Sequence, residues 1–109
     1  MALKVDDLAG PMIAAAQKSF AKDWTKAQAY AEVEFHRLAQ SLVDITALIA
    51  AGKANEQQAK ALRNVHQHTT LIVLLAIEGL GIIAVENAIN AALKAVAEVV
   101  NAAAGITLL

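Results

Sequence analysis

The run Glu32-Val33-Glu34-Phe35-His36, with His66 and His68 later in the chain, holds the residue types that ligate transition metals. Bundles that hold a metal pair present Glu and His from facing helices, with a Glu-x-x-His spacing that puts both ligands on one inward face. Here Phe35 stands three residues after Glu32, and Glu34 precedes His36 by two, so that motif is absent. His66 and His68 are also two apart, a step of about 200° around a helix, and cannot chelate one ion together. A metal-binding bundle using Glu32, Glu34, His36 and His68 therefore requires ligands from more than one subunit. It stands as an alternative reading. The leading reading has no cofactor.

Other chemistries find less to work with. Ser19, Ser41 and the threonines form no recognisable triad or nucleophile elbow with the histidines, so no enzyme activity is expected. Gly79-Leu80-Gly81 lies inside a helical pattern with no strand before it, which excludes a dinucleotide or phosphate loop. There is no cysteine, hence no disulfide framework and no thiolate. A net charge of −1 with interspersed signs leaves no basic footprint for nucleic acid. Asp6 and Asp7 interrupt the start of the chain where a secretory leader would run from basic to apolar, so the cytoplasm is the default compartment.

Whatever these residues do, helices must position them. Hydrophobic residues make up 58% of the 109 and aromatic ones only 4%, so the apolar content is mostly Ala, Leu, Ile and Val. That length suits one domain covering 1–109. Asp6, Asp7 and Pro11 mark the start of a first helix. Phe20, Trp24, Ala27, Ala31, Leu38, Leu42, Ile45 and Ile49 then recur on one stripe, and no breaker appears before Gly52. The spacing predicts a continuous helix over about 6–51. At 52–55, Gly52 suits a left-handed cap, and Asn55 with Gln58 suits a capping box. A second helix is predicted over about 56–103 along Leu62, Thr69, Val73, Ala76, Leu80 and Ile83. Gly79 and Gly81 mark the place where it bends or divides, because each glycine costs about 1 kcal/mol inside a helix. The predicted fold is all-α, a long antiparallel hairpin.

With the turn centred at Gly52–Lys53, residues whose numbers add to about 105 lie level across the hairpin, since both helices rise equally per residue. Trp24 then falls level with Gly81, where a glycine would give the indole room. His36 is level with His68, on the opposite flank. Glu34, Arg37 and His68 share a flank, the pattern of a surface polar cluster. Lys26 is level with Glu78, and the two are expected to pair between subunits.

The second helix carries a further stripe of Leu71, Leu75, Ile82, Val85, Ile89, Val96 and Val100, roughly opposite the one that faces the first helix. A two-helix hairpin cannot cover it, and exposing it would cost on the order of 10 kcal/mol. Of the nine basic and ten acidic residues, only Glu78, Glu86, Lys94 and Glu98 lie beyond residue 70, which marks the second half as the buried half. The expectation is a homo-oligomer, most simply a dimer closing a four-helix bundle. Its interface would be this stripe with Glu78 and Lys26, and its role structural or partner-binding. A membrane-active, pore-like protein is the other alternative. The run Leu71 to Val85 falls short of the roughly 20 apolar residues a span needs, and it contains Glu78.

Overall fold

The computed structural model describes residues 3–109. Four helices carry the chain: α1 (Val5–Phe20), α2 (Trp24–Ala50), α3 (Glu56–Leu75) and α4 (Ile82–Ala104). A single 3-10 turn, Ala21–Asp23, joins the first two, and the described residues include no strand. The all-α class is as the periodicity predicts. The two-helix hairpin is not, because each predicted long helix folds back on itself and the chain makes a four-helix body of 42 × 22 × 18 Å.

The first reversal is at Ala21, which has φ 53° and ψ −120°, a backbone region that favours glycine. The predicted continuous helix over 6–51 breaks there. No glycine or proline announces the break, and the apolar period runs through it, so the residue pattern alone continues the helix. Phe20 and Trp24 flank the corner with ring centroids 6.3 Å apart and planes tilted by 34°. Both are buried, and their packing supplies what holds a strained alanine in the turn. Because α1 doubles back, Asp6 Oδ1 comes within 3.7 Å of His36 Nε2, a contact that reflects the antiparallel register of α1 on α2.

The second reversal uses local signals. Gly52 takes φ 72°, Lys53 N–H donates to Leu48 O at 2.9 Å and Gly52 N–H to Ile49 O at 3.0 Å, the double bond of a Schellman cap. Asn55 Oδ1 then accepts from Gln58 N–H at 2.8 Å while Gln58 Oε1 accepts from Asn55 N–H at 2.9 Å, closing a capping box. The third reversal occupies 76–81, with Gly79 at φ 89°. It is a full turn rather than a kink, and α4 runs back along the body to Gly105, whose φ of 72° caps it.

α1 packs most extensively on α4 and next on α2, α3 packs mainly on α2, and the α3–α4 seam is much looser. Leu8, Met12, Ala16 and Phe20 of α1 close the core over Val85, Ile89, Val96 and Val100 of α4, all buried within one chain. This corrects the expectation that the second stripe lacks an intramolecular partner: the segment thought to extend the first helix is the cover. Leu71 and Leu75 are half-buried, and of that stripe only Ile82 stays exposed, at 53%. The last residues dock on their own core. Leu108 is fully buried, and Asn101 Oδ1 accepts from the backbone N–H groups of Leu108 and Leu109, each at 2.8 Å.

Candidate functional site

Two surfaces differ from an ordinary solvated exterior. The first is the outer face of α2 and α3. Tyr30 and Val33 lie one helical turn apart on α2 and are 60% and 56% exposed, and Ile72 on α3 is 56% exposed. A depression of about 510 Å³ runs between the two helices, lined by Tyr30, Ile72, Val73, Ala76, Ile77 and Glu78. Val65, also exposed, extends the apolar line along α3, because Val65, Thr69, Ile72 and Ala76 recur at helical spacing. Ile82 and Ile83, which open α4, and Val99 later in that helix are exposed as well.

The second surface is the loose seam between α3 and α4. The polar side chains of Asn64, Gln67, His68, Glu86 and Asn90, with Leu71 and Ile89, line its lower part. Its upper part is bordered by Arg63, Lys94, Leu93, Ala97 and Leu109. The seam exists because α3 commits its small buried face, Ala59, Thr70 and Leu74, mainly to α2.

The metal candidates are scattered. His36 is exposed and meets Asp6 of α1, while His68 lines the α3–α4 seam, on opposite flanks as their helical phases imply. Glu32 is exposed and accepts from Gln28 Nε2 at 3.1 Å. Glu34 departs from the expected surface cluster. It is 3% exposed, with Oε2 held by Arg37 Nη1 at 3.0 Å and Oε1 enclosed without a hydrogen-bond partner. Among the described residues, no three His, Asp or Glu side chains gather where they could hold an ion.

The interface pair also sits differently from its expectation within the single chain. Lys26 Nζ lies 3.6 Å from Asp23 Oδ1, and its stem passes over Gly79, where an added Cβ would stand 3.3 Å from Nζ. Glu78 is exposed and makes no ion pair among the described residues. Gly81 does not make room for Trp24, since a Cβ there would meet nothing within 4 Å; Trp24 packs on Phe20 instead. Among the described residues, no helix is long and apolar enough to cross a membrane.

Sequence reasoning passed over Tyr30, Val33 and Ile72. Their signal was present, as apolar residues lying off the core stripe, but it reads as a contact face only once the true neighbours of each helix are known. Compared with protein-family models, with curated proteins and with solved structures, the chain matches none.

Proposed function

We propose that this chain is a non-enzymatic, self-associating helical bundle with a structural or partner-binding role, and that its contact surface is the α2–α3 face. The supporting observation is that two large, mostly exposed side chains, Tyr30 and Ile72, border a shallow apolar depression, with exposed Val33 one helical turn from Tyr30. Each such side chain contributes about 1.5–3 kcal/mol when fully withdrawn from water, so a patch repeated on two copies gives association a driving force. A two-fold pairing is the simplest closed arrangement, because it sets the same patch against itself. Lys26 and Glu78 supply opposite charges beside the patch. A two-fold axis passing near them brings Lys26 of one copy toward Glu78 of the other, the arrangement of a polar rim around an apolar centre.

The interface expected from sequence is thereby redrawn. Val85, Ile89, Val96 and Val100 belong to the core of one chain, whereas Leu71, Leu75, Ile82, Glu78 and Lys26 remain wholly or partly accessible.

Light scattering through an eluting peak, without detergent, tests the reading. Wild-type protein is expected at a small multiple of 11.4 kDa. Ile72→Lys is expected to be folded and monomeric, while Lys22→Gln leaves the mass unchanged. A wild-type mass of 11.4 kDa at every loading concentration, or an Ile72→Lys protein that assembles as before, would contradict it.

A further inference from the structure

The upper part of the α3–α4 seam puts two cations on one groove. Arg63 and Lys94 both line this space of about 350 Å³, together with the amides of Gln67 and Asn90. Neither cation lies within 4.0 Å of a carboxylate among the described residues. Arg63 is partly buried, and one of its Nη atoms donates to Asn64 Oδ1 at 2.8 Å, which restrains the guanidinium. Its Nε–H is enclosed and has no acceptor. A buried donor on a charged group without an acceptor is costly. An anion in the groove compensates the positive charge that Arg63 and Lys94 place there. Arg suits this role, since its planar fork meets carboxylate or phosphate oxygens in a fixed geometry.

From this arrangement we infer a binding site for a small organic anion between α3 and α4. Its carboxylate or phosphate lies between Arg63 and Lys94. Gln67 and Asn90 donate to the remaining oxygens, and an apolar portion rests on Leu93, Ala97 and Leu109. The looseness of the seam serves the site, because a tightly packed α3–α4 contact would leave no room. Asn101 completes the apolar end by donating from Nδ2 to Leu109 O at 3.2 Å and accepting from the Leu109 N–H, which holds that residue in place. This site is separate from the α2–α3 face and does not depend on self-association.

Backbone amide NMR on the full chain, titrated with inorganic phosphate and with hexanoate, tests the site, and chloride at equal ionic strength is the control. Saturable shifts centred on Gln67, Asn90 and Lys94 are expected for at least one probe. The probe that binds more tightly identifies the acidic group. Arg63→Gln should weaken binding about tenfold or more, as loss of one charge-assisted contact implies. Lys94→Gln, an exposed position that does not endanger folding, should weaken it in the same direction, and Lys53→Gln in the α2–α3 turn should leave it unchanged. Shifts no larger than those from chloride, or affinities equal in wild type and Lys94→Gln, would overturn the inference.

Discussion

α4 and α3 are neighbours in sequence and similar in length, yet α4 buries eight of its 23 residues and α3 only three of its 20. The difference follows from what lies against each. α4 is covered by α1, whose Leu8, Met12, Ala16 and Phe20 are buried with it, whereas α3 rests on α2 and leaves both its outer face and its α4 side open. Buried packing is therefore most extensive on the α1–α4 side and loosest at the α3–α4 seam. Exposed apolar residues occur on α2, α3 and α4, with Ile82, Ile83 and Val99 on α4, while Arg63 of α3 and Lys94 of α4 border the groove between those two helices.

The contrast can be broken most sharply by placing one charge on each side. Val96→Lys, at a position 2% exposed in α4, buries an unpaired ammonium and is expected to lower the unfolding free energy by about 4 kcal/mol or more in urea titrations followed by circular dichroism. At protein concentrations low enough for the wild type to be monomeric, Ile72→Lys on α3 should change it by about 0.5 kcal/mol or less. Equal effects from the two would abolish the distinction.

A smaller effect sharpens the account of the closed side. Asn101→Ala removes three hydrogen bonds that tie Leu108 and Leu109 to α4, so a loss of about 1–3 kcal/mol is expected. Hydrogen exchange should quicken first at the amides of Leu108 and Leu109. Unchanged protection there would mean that the tail is held by the burial of Leu108 alone.

Ala21→Gly addresses the corner that creates the closed side. It should raise stability by about 1 kcal/mol, because a Cβ is disfavoured at φ 53°. A loss would show that the alanine is unstrained. Glu34→Leu is expected to be neutral or stabilising by about 1 kcal/mol, since it removes a 3%-exposed carboxylate whose Oε1 has no partner and leaves a mostly exposed Arg37 to solvent. A loss above about 2 kcal/mol would assign Glu34 to a buried polar network.

The all-α class was legible because the apolar period is helical throughout. The α2–α3 turn was legible in Gly52, Asn55 and Gln58, whose residue types dictate local geometry. Gly79 and Gly81 located the third turn but not its angle: glycine permits a kink and a reversal alike, and packing against α1 decides between them. The corner at Ala21 was invisible, since an alanine between Phe20 and Lys22 continues any helical pattern. That omission propagated. With α1 read as the start of a longer helix, nothing was left to cover Val85, Ile89, Val96 and Val100, and a second subunit was needed where the chain covers itself. Glu34 was misplaced for a related reason, because a carboxylate beside Arg37 reads as surface until its neighbours are known.

The fold-back of α1 is the claim on which the closed core and the proposed contact face both depend. Spin labels on Asp6→Cys and His36→Cys, in a chain with no native cysteine, report it directly through the electron–electron distance, with labelled protein diluted in unlabelled protein to suppress contributions between chains. Helices packed at 8–10 Å between axes should give a distribution centred below about 20 Å. A peak near 45 Å, the rise of an uninterrupted helix over that interval, would contradict the account and restore the open hairpin.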